Sequence, residues 1–529
     1  MKYRCFASFL LLGVLNAVLV SADEANQQEP AVFDVLELQV DGNTLLPQEI
    51  VEKTLYPFLG EAKRVEDVEQ ARLKLEAEYR SHGYPTVIVE IPEQEVLNGV
   101  VLLNVVEGSV DSIKVTGAQY FLPSKIREQV PELSVGKTPY MPKVQEQLAE
   151  LGKQASDRQV TPVFRAGSTP GKTEVELKVK DQLPLHGSLE MNGRNSEHTS
   201  RSRLIGSVRY DNLWQRFHSA SLQYQVSPED NDEVEVWSGT YVLPTGWADT
   251  RLAVYGVGIS SNTQLGASVG GLSVVGTGSI FGARLIKPLP GLNNYSHSVT
   301  AGLDYKSFNQ GVTQQGQDSQ ASPVNYLAWL IAYDSSWRYP GVTTSLNNSL
   351  HFSIQGLAND TQEFERRRYQ AKPNFLYLTS ELKQLRDLPL GLRLNAKLSG
   401  QISSSPLISN EQFAVGGMET VRGYYQTQQL GDDGVNTSLE LHSPELAQAR
   451  WDFAQMLRAY VFFDYAHLWI QQPLASNPSH YDLAATGLGL RWQIYKRVLG
   501  ELDWAYPLIK QGTVDVGYQR FDFKLAYEF

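Results

Sequence analysis

The chain has 529 residues, with 46 Lys and Arg against 58 Asp and Glu, a formal net charge of −12. Hydrophobic residues make up 42%, charged residues only 20%, and mean hydropathy is −0.29; this balance excludes a disordered chain, and the acidic charge argues against nucleic acid as a partner. Beyond the N-terminus no run approaches the roughly 18 apolar residues of a membrane-spanning helix.

Residues 1–22 read as a cleaved signal peptide. Lys2 and Arg4 precede an apolar stretch from Phe6 to Val20, and Val20-Ser21-Ala22 supplies small residues at a cleavage site. Removal takes away Lys2 and Arg4 and no acidic residue, leaving the mature chain at −14. Cys5, the only cysteine, lies inside this peptide. The mature chain is therefore expected to have no disulfide, thiolate metal site or cysteine nucleophile. A short segment, residues 23–32, follows.

Residues 33–183 read as two small mixed domains in tandem. In the first, residues 33–108, Val35 to Val40 form a strand ending at the turn Asp41-Gly42-Asn43, and Pro47 to Leu59 a short helix. Val65 to His82 is helical, with Val68, Ala71, Leu75 and Tyr79 at spacings of three and four, and Gly83 ends it. His82 beside that glycine is read as a capping or solvated side chain. Strands Thr86 to Ile91 and Val100 to Val106 complete the unit. The same order returns in residues 109–183: strand Val110 to Val115, helices Pro123 to Val130 and Pro142 to Ala155, strands Val160 to Arg165 and Thr173 to Val179. Exposed edges of such sheets can receive an extended peptide.

Residues 184–529 change character. The composition, with 26 Tyr, 19 Phe, 9 Trp and 42 Gly, suits strands and turns, and the helical pattern disappears from about His186. Leu392, Leu394, Ala396 and Leu398 alternate with Arg393, Asn395 and Lys397; Leu488, Leu490 and Trp492 alternate with Gly487, Gly489 and Arg491. Sixteen strands are expected, starting near 188, 201, 217, 233, 250, 275, 295, 324, 343, 370, 391, 434, 455, 482, 498 and 518. About 21 residues per strand and connection is room for membrane-spanning strands of an antiparallel barrel. A soluble sandwich or propeller is the rival architecture.

Chemistry of the catalytic kind is not signalled. Gly266-Ala267-Ser268-Val269-Gly270 matches G-x-S-x-G, but no helix pattern follows it, so a glycine-rich strand or turn is expected there. Gly276 to Gly282 lacks the Lys-Ser/Thr of a phosphate-binding loop, and no H-E-x-x-H is present. No catalytic residue, metal or cofactor is expected. The informative segment is Glu411-Gln412-Phe413-Ala414-Val415-Gly416-Gly417, leading to Val421-Arg422-Gly423-Tyr424, in a long connection at about 406–433. Later, Val461, Phe463, Tyr465 and Trp469 share one strand face. Phe462, Asp464 and Ala466 therefore face the other, which in a barrel is the lumen.

These segments resemble the two-partner secretion transporters of the haemolysin secretion/activation type, members of the POTRA–barrel superfamily. Tyr79 to Thr86, Ile91 to Gln94 and Gly99 to Gly108 are similar to their first POTRA domain. Val421-Arg422-Gly423-Tyr424 resembles the V-R-G-Y/F signature of a loop that enters the pore, continued by Gly431-Asp432-Asp433-Gly434, Glu440-Leu441 and Pro444. Phe462-Phe463-Asp464-Tyr465-Ala466 resembles its barrel-wall counterpart, with Ala466 where a glycine is usual. The resemblance implies two periplasmic α+β POTRA domains (33–108 and 109–183) and a 16-stranded antiparallel transmembrane β-barrel in the outer membrane, with Arg422 paired to Asp464. It also implies export of a large haemolysin- or adhesin-like partner, unfolded in the periplasm, by a protein that is not an enzyme. A barrel-assembly factor, an open porin and an outer-membrane enzyme are the alternatives. Some relatives plug the pore with an N-terminal helix, for which Asp23 to Ala31 leave little room. Phe521, Phe523, Leu525, Tyr527 and Phe529 are expected to face outer-membrane lipid on the last strand, and they resemble the terminal signal read by the barrel-assembly machinery.

Overall fold

The computed structural model describes residues 32–529 apart from 155–156, 198, 248, 262–265, 270–271, 276, 313–319, 358–359, 448–452 and 476. The expected signal peptide, residues 1–22, and nearly all of the segment that follows it lie outside the described residues. Two compact units emerge. One comprises residues up to Gly117 with Ile126–Leu151 and Val160–Val179; the other comprises Ala118–Lys125, Gly152–Gln159 and Lys180–Phe529.

The first N-terminal domain contains strands β1 (Phe33–Val35), β2 (Glu37–Asp41), β3 (Gly60–Lys63), β4 (Ile88–Glu90) and β5 (Val100–Val106), with helices α1 (Gln48–Leu55) and α2 (Val65–Ser81). Its sheet has the order β2-β5-β4, β2 running parallel to β5. Helix α2 buries its stripe Val68, Ala71, Leu75 and Tyr79 against that sheet, each large apolar side chain contributing about 1.5–3 kcal/mol. The helix starts with Asp67 Oδ2 accepting from Arg64 N at 2.8 Å and ends where His82 Nδ1 lies 3.0 Å from Glu78 O. The expected first strand is broken at Leu36 into β1 and β2, the first helix ends at Leu55 in a 3-10 turn over Tyr56–Phe58, and β1 pairs with β3 in a two-stranded ribbon where no strand is expected after the first helix.

Strands β6 (Ser109–Thr116), β7 (Arg158–Ala166) and β8 (Lys172–Asp181), with α3 (Pro123–Glu128) and α4 (Met141–Gln154), repeat this connection. The order is β6-β8-β7, again with the first strand parallel to the last. Helix α4 shows Val144 and Leu151 buried.

A closed antiparallel barrel of sixteen strands follows. Its first strands are β9 (Leu185–Asn192), β10 (Arg203–Leu213), β11 (His218–Val226), β12 (Val234–Pro244) and β13 (Arg251–Ser261). A small hairpin, β14 (Gly266–Val269) and β15 (Leu272–Val275), stands outside the barrel ladder. The barrel resumes with β16 (Gly278–Leu292), β17 (Tyr295–Val312), β18 (Gln320–Tyr339), β19 (Val342–Phe352), β20 (Leu376–Asp387) and β21 (Arg393–Ser403). Between β19 and β20 lies a seven-residue helix, α5 (Thr361–Arg367). A second hairpin, β22 (Phe413–Val415) and β23 (Gln429–Gly431), precedes the last five strands. These are β24 (Asp433–His442), β25 (Ala454–Trp469), β26 (His480–Ile494), β27 (Val498–Pro507) and β28 (Arg520–Glu528), and β28 closes on β9.

Period-two alternation sets the two faces. Leu189, Leu222, Phe281, Ile331, Leu398, Val461 and Leu488 are exposed outward, and their sequence neighbours point into the lumen. Closure satisfies every strand edge, which is what lets a sheet cross lipid. Two expectations need correction. Strand β20 begins at 376 and not near 370, and helical structure does return after 186, because Asp360 caps α5 through Gln362 N at 2.9 Å and the Glu- and Arg-rich turn has no alternation to sustain a strand. Strands β17 and β18, of 18 and 20 residues, exceed the ~9–11 needed to span the bilayer. The G-x-S-x-G segment enters the β14–β15 hairpin, and among the described residues the next element is strand β16, not a helix; Gly270 lies outside the described residues.

Candidate functional site

The β21–β24 connection, residues 404–432, folds into the lumen. Its stem is β22 paired with β23, Phe413 opposite Gly431. Gly416 turns the chain back at φ +108, where a Cβ would stand 2.4 Å from Tyr425 O, so no other residue fits. Gly417 follows and donates its N–H to Val421 O at 3.1 Å. This turn drives Val421, Arg422 and Tyr424 against the wall. Val421 and Tyr424 are buried with Val415, Ala466, Leu468, Leu483 and Ala485, and the Tyr424 hydroxyl bonds Ile509 O at 2.6 Å and Ala484 O at 3.0 Å. The Ala466 methyl is absorbed in this cluster. Gly423, at φ +88, lies with its Cβ position 3.0 Å from Pro507 Cγ.

Arg422 is 2% exposed, and burial of a guanidinium is tolerable only with full pairing. Its Nε donates to Asp464 Oδ2 at 2.7 Å and its Nη2 to Asp464 Oδ1 at 2.8 Å, a bidentate fork. The Arg422 backbone N–H reaches the same carboxylate at 3.1 Å. Nη1 donates to Glu440 Oε1 at 2.7 Å and Nη2 to Ser438 Oγ at 3.1 Å. Arg422 Cζ stands 3.6 Å from the centroid of the Phe462 ring, a cation–π contact. Behind this pair, Arg491 holds both Glu440 (2.8 Å) and Glu501 (2.8 Å), and Asp503 Oδ2 lies 3.9 Å from Arg422 Nη1. Glu440, Phe462, Asp464 and Asp503 come from β24, β25 and β27 of the contiguous run β24–β27, in which β26 separates the last two and carries Arg491.

Two further anchors were legible only as motif letters. Glu411, its side chain 1% exposed, accepts from Lys306 Nζ at 2.7 Å and Tyr377 at 2.6 Å, and from Tyr326. Asp432, fully buried, accepts from Leu407 N at 2.8 Å and Gln471 N at 2.7 Å and is forked by Arg368. The signal that could have found their partners is charge on a lumen face: Lys306 alternates with the outward Tyr305.

On β28, Phe521, Leu525 and Tyr527 are exposed, as is Phe529 at the strand's end. Phe523 shares their face but is half-buried beside Gly193. Asp157, His186 and Asp211 bring possible metal-ligand atoms within 4.8 Å of one another. His186 Nε2 is already 2.8 Å from Asp157 Oδ2, and Arg209 Nε donates to Asp211 Oδ2 at 2.8 Å, so the group is closed by its own hydrogen bonds.

Residues 33–108 match the ShlB-type POTRA domain, and residues 171–492 match the haemolysin secretion/activation protein ShlB/FhaC/HecB. The chain belongs to the ShlB/FhaC/HecB family. It is an outer-membrane transporter of the two-partner secretion class, its POTRA region periplasmic. It is 22% identical to the outer membrane transporter CdiB of Dickeya dadantii (strain 3937), over 95% of this chain and 89% of that one. In structure the transporter is similar to CdiB from Escherichia coli (TM-score 0.63, 17% identity, 97% of this chain and 93% of the other). It is also similar to BamA from Haemophilus ducreyi lacking POTRA domains 1–3 (TM-score 0.58, 15% identity, 94% and 100%), a distant likeness of fold. With the POTRA region periplasmic, the β9–β10, β19–β20 and β21–β24 loops lie at the extracellular ends of their strands.

Proposed function

We propose that this transporter captures one large, unfolded haemolysin- or adhesin-type polypeptide in the periplasm and passes it through the barrel passively, without enzymatic chemistry. The observation that carries the reading is Arg422: a guanidinium at 2% exposure, forked to Asp464 and bonded to Glu440, fixes a long loop inside the lumen. Residues 109–183, whose strand order and parallel pairing match those of 33–108, act as the second POTRA domain. Sheet edges β2, β4, β6 and β7 offer main-chain groups to an extended cargo strand. Val421 to Tyr424, with Gly416 and Gly417, orient the loop; Phe462, Asp464 and Ala466 form its seat. The outward apolar residues contact outer-membrane lipid, and the aromatic β28 strand is the segment the barrel-assembly machinery reads.

The test is secretion. Where a large exoprotein is encoded beside the transporter, cells expressing both should release it into the medium, and cells lacking the transporter should retain it. Unchanged release without the transporter defeats the reading. A fall in the amounts of unrelated outer-membrane barrels would instead favour an assembly factor.

A further inference from the structure

The lumen wall is not uniform. Around β24–β28 it carries Glu440, Asp464, Arg491, Asp503 and Asp522, the polar interior of a wide barrel. Near the extracellular ends of β12, β13 and β16–β18 it is apolar instead: Val236, Ile259, Ile280, Phe308, Val324 and Tyr326 are all buried. Something must cover such a strip, since apolar surface facing water is unfavourable. The cover is residues 360–375 of the β19–β20 loop, with Leu407 and Ile408 of the pore loop beside them. Phe364 of α5 and Phe375 are each 1% exposed, and their ring centroids lie 5.4 and 6.0 Å from that of Tyr326.

The cover is also fastened. Glu363 accepts from Asn325 N at 3.0 Å, and Arg367 donates to Phe308 O at 2.9 Å. Arg368 forks Asp432 and donates to Leu407 O at 2.5 Å and Gln471 O at 3.1 Å. Asp432 is the last residue of the pore loop before β24, so one ion pair couples this segment to that loop.

We propose that residues 360–375 form a lid that closes the extracellular mouth above the Arg422-anchored loop, seated on a strip that receives the apolar side chains of the polypeptide in transit. The occupant identifies the ligand chemistry: what fills the strip is backbone presenting phenylalanines, and an extended cargo with bulky apolar residues makes the same contacts. The proposal rests on the export reading for the identity of its ligand. The lid itself does not.

Purified full-length protein in planar bilayers tests both parts. Phe364→Asp and Glu363→Ala, which touch the β18 wall and not the pore loop, should each raise ion conductance several-fold over wild type while the barrel keeps its heat-modifiable, folded mobility. Wild-type conductance in both folded variants overturns the lid. Cys5 being the only cysteine, a Glu363→Cys/Asn325→Cys pair, at a contact of lid and wall, bridged by a short bis-methanethiosulfonate should conduct like wild type, and reductant should open it. A current unmoved by reduction counts against the lid equally. A synthetic peptide with Phe at alternate positions should block the Phe364→Asp channel, and the same peptide with Ser at those positions should not. Equal block by both peptides overturns the strip. These currents need no exoprotein, so a failure of export would fall on the transport reading alone.

Discussion

Arg422 is one guanidinium shared among Asp464, Glu440 and, at 3.9 Å, Asp503. Removing it leaves buried carboxylates uncompensated, a loss of about 3–5 kcal/mol in comparable buried pairs. Arg422→Ala should therefore release the loop and lower export, while the strand ladder, which Arg422 does not join, still inserts. Exoprotein in the medium, set against heat-modifiable barrel in the membrane, measures this; normal export by folded Arg422→Ala would sink the claim. From the sequence alone, a reciprocal Arg422→Asp/Asp464→Arg exchange should recover part of the loss. The structure reverses that expectation. The exchange sets a carboxylate at position 422 beside Glu440 and Asp503, a like-charge cluster, so the double variant should export no better than Arg422→Ala. Recovery would mean that Glu440 contributes little.

Among the elements, the seam between β28 and β9 is the shortest joint in the barrel wall. Five residue pairs join it, Lys524–Asn192 to Glu528–Ser188, against ten between β26 and β27. Phe529 extends the seam by exchanging two backbone hydrogen bonds with Gly187, both 3.0 Å. Its ring lies over that glycine, where a Cβ would be 2.2 Å from Cζ. Phe521, though on the same outward face, stands opposite Trp504 within a longer ladder. Deleting Phe529 should therefore reduce folded barrel in the outer membrane more than Phe521→Ala does. Comparable yields for the two variants would reduce Phe529 to one lipid-facing aromatic among several. The β19–β20 loop illustrates the opposite case, an insertion whose order comes from what it covers and not from its own propensity.

For the whole molecule, the proposed reading assigns capture and conduction to different parts of the chain. Residues 33–183 as a soluble fragment should bind an unfolded N-terminal piece of the cognate exoprotein, and bind it better than the same piece pre-folded, because strand addition needs free main-chain groups. Equal affinities in a titration would argue against strand addition. The second repeat is itself divided: Ala118–Lys125 and Gly152–Gln159 group with the barrel, where Arg158 stacks between Phe121 and Phe217, 4.9 and 4.5 Å from the ring centroids. In the isolated fragment Arg158 loses the Phe217 face, so residues 109–183 should exchange amide hydrogens faster than 33–108. Uniform protection across both repeats would show that this contact is dispensable.

The architecture is readable from the chain alone, since strand alternation and helix periodicity are local: sixteen strands are countable within a few residues, and α2 is visible from Val68, Ala71, Leu75 and Tyr79. The same alternation sets Asp464 in the lumen, because Phe463 and Tyr465 have to face lipid. Which side chains meet is settled in three dimensions. Glu411 reaches Lys306, and Asp432 reaches Arg368, across stretches of chain whose register no period encodes. Helix α5 is too short to show a periodicity, and its Phe364 finds a place only because closing the barrel sets apolar residues of β12, β13 and β16–β18 on one patch of wall. Period fixes which face a side chain takes; only closure of the barrel fixes what stands opposite it.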